Sequence, residues 1–356
     1  MKTLIFTLEY PPFKGGIANY YENLVKFWPE HSEIFVLNNN ENKLINKWLL
    51  PKWLPAFFAL SHEISEKKIE HVIVGHILPL GTVTYLISRY KKISYSVVLH
   101  GMDFAFSQKS WRKKIMAKLI LKNAKQIICS NSHVAYLVKN EISDQKKIIV
   151  ANPGIEKQLV NESLVDDIRK KFNPENKTIM LSVSRLVKRK GYDKIIESMP
   201  AIIKHAPNLL YYIIGDGPDR KYLEEKATGM NNIFFLGKLN DEEKFAWLEV
   251  CDFFAMPSRD IEGDFEGFGI VYLEAAIAHK ASLAGESGGV KDAVQGGITG
   301  ILINPLDKRK ITDAIIKLAT EKETREMLGN NAFMRAEKDF RWPDKIGKIF
   351  KAINNI

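Results

Sequence analysis

The sequence is short of several things, and each shortage narrows what the chain can be. It has two cysteines in 356 residues, Cys129 and Cys251, far apart and each in an apolar stretch. Without a CxxC pair or a Cys/His cluster there is no support for a disulfide framework or a zinc site, so both thiols read as reduced core residues of a cytosolic protein. No run reaches about 18 apolar residues, so no segment reads as a membrane-spanning helix. The start, MKTLIFTLEYPP, has too short an apolar run for a signal peptide and no small-residue cleavage site, and it reads as a first buried strand. The G-x-G-x-x-G fingerprint is missing, which argues against dinucleotide binding and against a dehydrogenase. Acid is scarce relative to base: 42 Asp and Glu against 52 Lys and Arg leave a net charge of +10. That balance suits an anionic membrane surface, a phosphate-rich substrate or nucleic acid.

What is present follows one grammar, twice. In the first half, short apolar runs at 3–10, 33–38, 71–76, 95–101, 126–131 and 147–152 alternate with helical patterns such as 16–28, 79–91 and 111–123. Alternating strands and helices with continuous apolar strands predict a parallel sheet covered on both faces. NPGIE (152–156) breaks the pattern with Pro and Gly together. The grammar then restarts with strands at 178–186, 209–217, 232–237, 253–258, 281–285 and 300–304. The expected fold class is α/β: two Rossmann-like, doubly wound parallel-sheet domains facing a cleft. Residues 1–153 form the first, 154–335 the second, and 336–356 a C-terminal helix crossing back to the first. Ligands of such sheets bind beyond the carboxyl ends of the strands.

Several stretches at those ends could carry chemistry. In DFEGFGIVYLEAAIAHK (264–280), Glu266 and Glu274 stand eight positions apart. A helix starting near Gly267 or Phe268 would put both on roughly one face, with free amides at Phe268, Gly269 and Ile270 for an anion. Carboxylates accept from paired hydroxyls, as on sugars and ribose. The plain alternative is a capping Glu followed by an exposed one; the apolar residues around Glu274 count against it. SRLVKRKGYD (184–193) offers Arg185 and Lys190 in a strand-to-helix loop, a pairing that can hold a diphosphate or can simply be a solvated basic loop. In PPFKGGIANYYENL (11–24), Gly15 and Gly16 permit close backbone approach at a helix start, or form a plain turn. His100 ends the apolar strand of VVLHGMDF, where it is either structural or a donor to a substrate hydroxyl. Gly215 and Lys238 sit at two further strand ends.

Taken together and in order, GGIANY, HGMDF, NPGI, SRLVKRKG, GDGP, EGFGIVYLEA, SGGVKDAV, GITGILI and FRWPDKI resemble the retaining nucleotide-sugar glycosyltransferases of the two-domain GT-B fold, whose hallmark Glu-x7-Glu is matched by Glu266 and Glu274. The resemblance covers nearly the whole chain and is strongest to the bacterial mannosyltransferase, lipid-acceptor branch. It implies a nucleotide-sugar-binding second domain and an acceptor-binding first domain. A hexose would move from a nucleoside-diphosphate sugar, leaning to GDP-mannose, to a lipid-linked or saccharide acceptor in glycolipid, lipopolysaccharide or polysaccharide synthesis. It further implies that Glu274 holds the ribose, Glu266 the transferred sugar, and Arg185 and Lys190 the leaving diphosphate. His100 would meet a sugar hydroxyl or act close to the anomeric centre, Gly16 would let its loop touch phosphate or acceptor, and the backbone around Lys238 would contact the base. No cofactor and no metal are expected. Lys190→Ala is expected to abolish turnover with the fold intact. Two departures are the acidic segment RDIEGDF (259–265) and Asp292, where Glu is more usual. The rival readings are a UDP-sugar donor, a nucleotide-sugar epimerase, and an inactive partner subunit.

Much of the positive charge lies in two aromatic-basic segments. KSWRKKIMAKLILKNAK (109–125) sets Trp111, Ile115, Leu119 and Lys122 about a turn apart, and NKWLLPKWLPAFFAL (46–60) adds a loop and helix. Both suit peripheral contact with an anionic membrane from the cytoplasmic side or with a prenyl-linked acceptor; the first could equally pack on the sheet with solvated lysines, whereas for 46–60 the contact is the favoured reading. Nucleic acid is not expected, since no recognition motif accompanies the charge.

Overall fold

In the computed structural model, which describes residues 1–13, 15–173 and 175–355, the chain divides into two compact units. The first comprises Met1–Gly154 with Trp342–Ile356, and the second Ile155–Arg341.

The first unit carries β1 (Thr3–Thr7), β2 (Ile34–Asn38), β3 (His71–Val74), β4 (Ser94–Leu99), β5 (Ile127–Cys129) and β6 (Ile148–Val150), with α1 (Gly16–Lys26), α2 (Leu54–Lys67), α3 (Leu80–Ser88), α4 (Met102–Ser107), α5 (Trp111–Asn123) and α6 (Ser132–Lys139) between them. All its pairings are parallel, in the order β2-β1-β3-β4-β5-β6. The chain starts at β1, adds β2 on one side and then builds away on the other, so the strand order reverses between β1 and β3. Crevices at such reversals are where open parallel sheets hold ligands.

The second unit repeats the plan with β7 (Thr178–Val183), β8 (Leu209–Ile214), β9 (Ile233–Gly237), β10 (Phe253–Met256), β11 (Ala281–Gly285) and β12 (Gly300–Ile303), ordered β12-β11-β10-β7-β8-β9. Its helices are α7 (Glu162–Phe172), α8 (Tyr192–His205), α9 (Arg220–Lys226), α10 (Asp241–Val250), α11 (Ile270–Ile277), α12 (Val290–Ala293), α13 (Lys308–Thr320) and α14 (Lys322–Asp339). Here the order reverses between β7 and β10.

Why these strands sit inside is visible in the alternation. Leu181, Val183, Phe254 and Met256 join one buried cluster, while Met180, Tyr211, Phe253 and Ala255 join another. Successive side chains point to opposite faces, and both faces are covered. Each fully buried Leu, Ile or Phe contributes roughly 1.5–3 kcal/mol.

The passage back to the first unit falls between Arg341 and Trp342, later than the expected boundary at 335. The reason is that α14 runs on to Asp339 and Phe340 packs against Phe268 in the second unit's core. The last helix, α15 (Trp342–Asn354), then packs within the first unit. Phe350 meets Trp28 edge-on at 5.3 Å, Trp342 meets Tyr20 at 5.8 Å, and Gln126 Nε2 donates to the Ala352 carbonyl.

Candidate active site

In the second unit, the loops that follow β7 and β10 meet at the strand-order reversal. The first runs from Ser184 through a tight turn at Lys188–Lys190 into α8. The second runs from Pro257 to Gly269. They are stitched by a backbone bond from Arg259 N–H to the Arg189 carbonyl (2.7 Å) and by the buried fork of Arg259 on both Asp193 oxygens (3.0 and 2.9 Å). This frame brings Glu266 against Lys190. Glu266 Oε2 accepts from Lys190 Nζ at 2.5 Å and from Arg189 Nη1 at 2.7 Å, and Arg189 Nε also reaches Asp264 at 3.1 Å. Both Glu266 and Lys190 are buried.

Burial alone would raise the Glu266 pKa, but Lys190 and Arg189 outweigh it and hold the carboxyl below its usual value. The carboxylate is therefore ionised. Lys190 is lowered, chiefly by burial, with Arg189 adding to the effect and Glu266 opposing it. Arg185, from the same loop, is exposed and has no ion pair among the described residues. The structure thus joins Lys190 and Glu266 directly and leaves Arg185, like Lys188 of the same loop, exposed.

Helix α11 starts at Ile270, not near Gly267 or Phe268, and Gly269 caps it with a left-handed φ of 76°. Glu266 therefore belongs to the loop, and the shared-helix-face geometry does not hold. Three loop residues, Gly267 to Gly269, intervene, and the 287–289 turn docks on the chain just before them, the Gly289 amide donating to the Glu266 carbonyl. Glu274 lies in the second turn of α11, half-buried, with Oε1 accepting from Lys244 Nζ at 2.9 Å. Burial lowers the Lys244 pKa, but Glu274 and, to a smaller extent, Asp241 at 3.2 Å together more than offset it and the net shift is upward. Glu274 Oε2 has no partner among the described residues. The amides of Phe268, Gly269 and Ile270 have none either, whereas the Phe268 ring is buried.

Gly215 follows β8 with φ 136°, and a Cβ there would lie 1.9 Å from the Ser184 carbonyl oxygen. Glycine is needed at this position so that the loop after β8 can press on the loop after β7. Lys238 follows β9 and is exposed.

The first unit holds the remaining candidates. Gly15 caps α1 and Gly16 opens it; a Cβ on Gly16 would meet nothing within 4 Å. His100 follows β4. Its Nε2 lies 3.0 Å from the Tyr21 hydroxyl, and its ring meets Tyr20 edge-on at 5.1 Å. Burial, with a smaller push from His76, drives its pKa down to about 3. The amides of His100 and Gly101 both donate to Asp103 Oδ1. Among the described residues no group of three His, Cys, Asp or Glu could hold a metal ion.

Sequence reasoning missed Arg189, Asp264, Lys244, Tyr21 and the Arg259–Asp193 pair. The only signal for the first two was the coincidence of a basic run at 188–190 with an acidic run at 260–264.

Residues 165–335 match the model of the glycosyl transferases group 1 family. The chain carries a glycosyltransferase group 1 domain. It spans most of the second unit and contains Arg185, Lys190, Glu266 and Glu274. Along nearly its whole length the chain is similar to the GDP-mannose-dependent monoacylated alpha-(1-6)-phosphatidylinositol monomannoside mannosyltransferase of Corynebacterium glutamicum. The two are 26% identical over 362 residues, covering 96% of this chain and 94% of that protein. In structure this glycosyltransferase chain resembles Anabaena HepE in complex with UDP, with a TM-score of 0.82 at 18% identity and full coverage of both chains. It also resembles the sucrose-phosphate synthase of Thermosynechococcus elongatus, with a TM-score of 0.80 at 18% identity over 100% of this chain and 98% of that one. These neighbours establish the two-domain GT-B fold.

Proposed function

We propose that the chain is a retaining hexosyltransferase that moves mannose from GDP-mannose to a glycolipid or other saccharide acceptor, the second unit taking the donor and the first the acceptor. The observation that carries this reading is the near-full-length similarity to a GDP-mannose-dependent mannosyltransferase whose named acceptor is a mannosylated phosphoinositide. The composition of the β7/β10 reversal supports it, since an exposed Arg185, a Lys190–Arg189 pair and the amides of Phe268 to Ile270 together suit a diphosphate ester.

In this reading Glu274 Oε2 accepts from ribose hydroxyls while Lys244 fixes the other oxygen. Glu266, held ionised by its two cations, accepts from hydroxyls of the transferred sugar. Lys238 contacts the base through its backbone. The bond from the anomeric carbon to the diphosphate oxygen breaks, and charge builds on the leaving GDP beside Arg185 and Lys190. Cations already in place lower that barrier without reorganising. A new bond forms from the acceptor hydroxyl oxygen to the same face of the anomeric carbon, and the hydroxyl proton passes to the departing phosphate oxygen. No metal or cofactor is assigned a role.

The acceptor side is proposed to work against a membrane. Helix α5 exposes Trp111, Ile115 and Leu119 in a segment with four Lys, one Arg and no acid, and α3 packs between α2 and α5. Trp48, Leu50 and Phe58 of the 46–60 segment are exposed as well. Lys114 pairs with Glu141, but apolar side chains among an excess of cations suit an anionic lipid surface. No helix among the described residues is long and apolar enough to cross a membrane.

The test is a thermal-shift panel of GDP, UDP, ADP and dTDP with their sugar conjugates, since a ligand that binds only the folded protein raises its melting temperature. A shift with GDP and GDP-mannose above the others is expected. A shift confined to UDP compounds would replace the donor, and no shift with any would remove the transferase reading.

A further inference from the structure

The geometry points to Tyr21 as a positioning residue: its hydroxyl fixes His100 with the ring proton on Nε2, so that Nδ1 is presented to a substrate as a hydrogen-bond acceptor. The Tyr21 hydroxyl lies 3.1 Å from the Gly75 carbonyl oxygen and 3.0 Å from His100 Nε2. A phenol has one proton, and a carbonyl oxygen can only accept. That proton therefore goes to Gly75. The contact with His100 is then a hydrogen bond only if Nε2 carries a proton and donates it to the phenol oxygen.

The surroundings hold this arrangement in one place. Tyr21 is fully buried on α1, Gly75 directly follows β3, and His100 directly follows β4, so all three meet beside the first sheet's strand-order reversal. Glycine at 75 is what lets the phenol in, because a Cβ there would stand 2.8 Å from the Tyr21 hydroxyl and 2.9 Å from Thr7 Oγ1. Edge contacts of the His100 ring with Tyr20 and Tyr21 at 5.1 and 5.6 Å fix the ring's tilt. The two amides bonded to Asp103 fix its backbone.

Burial keeps the ring neutral, with its pKa near 3, so it has a single proton at neutral pH. If that proton is on Nε2, Nδ1 bears a lone pair, and Nδ1 has no partner among the described residues. The ligand chemistry follows. His100 takes a hydrogen bond from a sugar or polyol hydroxyl instead of giving one, the reverse of the donor role expected from the sequence. Use of that lone pair in glycosyl transfer rests on the proposed function; the position of the proton does not.

The whole protein labelled with 15N-histidine, observed at pH 7 by long-range 1H–15N correlation, reads the proton directly. His100 is assigned by the signals that vanish in His100→Gln. The expected spectrum has a protonated Nε2 and a bare Nδ1. A proton on Nδ1, alone or together with Nε2, overturns the proposal. In Tyr21→Phe the bare Nδ1 signal is expected to move toward a mixture of tautomers, and an unchanged signal overturns the role of Tyr21. If Tyr21→Phe does not fold, the wild-type spectrum still decides the proton's position. Release of GDP from GDP-mannose is expected to fall about tenfold in Tyr21→Phe, the worth of one neutral hydrogen bond. A wild type with the expected nitrogens and no GDP release removes the transferase reading and leaves the tautomer standing.

Discussion

Replacing Lys190 tests the energetics of the site, because its ammonium and the Glu266 carboxylate are buried together. In Lys190→Met the carboxylate loses its 2.5 Å partner and keeps Arg189 at 2.7 Å. Removing one member of a buried pair costs ~3–5 kcal/mol because the other charge stays behind. The surviving Arg189 places this case at the low end, about 3 kcal/mol. The second unit runs from Ile155 to Arg341, a size at which 1 kcal/mol moves the midpoint by roughly 2–4 °C. Scanning calorimetry at pH 7 is therefore expected to show Lys190→Met melting about 6–12 °C below wild type. The substitution thus acts on the fold as well as on turnover. The double variant Lys190→Met/Glu266→Gln removes both charges and is expected to recover most of the loss while staying inactive. A single variant within 2 °C of wild type, or a double variant less stable than the single, would refute the reasoning.

Other outcomes follow from the same contacts. Glu266 has a lowered pKa in the folded protein, so its contribution to stability is fully present above the ordinary value of 4.5 and is lost as pH falls through the folded value; Glu266→Gln is expected to flatten the acid limb of a pH–melting curve, and an unchanged limb would contradict the assignment. Glu274→Ala is expected to weaken GDP-mannose binding by roughly tenfold or more in a calorimetric titration, by losing hydroxyl bonds to a charged acceptor; an unchanged Kd would remove Glu274 from the ribose. Trp111→Ala/Ile115→Ala is expected to cut sedimentation with phosphatidylglycerol vesicles severalfold while leaving nucleotide binding alone, and wild-type sedimentation with phosphatidylcholine alone is expected to be weak. Equal binding to both vesicle types would count against a charge-directed contact.

The legible part of this molecule was its local pattern. All twelve apolar runs became strands, because a sheet buried on both faces leaves a continuous hydrophobic signature. Helix α5 has the bounds that its spacing suggested. The start of α11 was misplaced because Gly269 takes a left-handed φ of 76° and Glu266 is held outside the helix by the 287–289 turn, contacts that a helical periodicity cannot announce. The partners of the two glutamates were not legible for the same kind of reason. Lys190 and Glu266 are 76 residues apart, Lys244 and Glu274 are 30 apart, and which cation serves which anion is decided only when β7 and β10 pair. Arg189 is the clearest case: next to Lys190 it looked like one more charge in a basic loop, yet its guanidinium bridges Glu266 and Asp264.

The central claim is that the loops at the β7/β10 reversal hold the diphosphate of a nucleotide sugar. Arg185 tests it most directly, since its side chain is exposed and has no ion pair among the described residues, so removing it leaves the fold alone. The measurement is a calorimetric titration of GDP-mannose into wild type and Arg185→Ala. Binding by wild type, weakened roughly tenfold to a hundredfold in the variant as one charged hydrogen bond is lost, is the predicted result. Equal affinities in the two proteins would contradict the account.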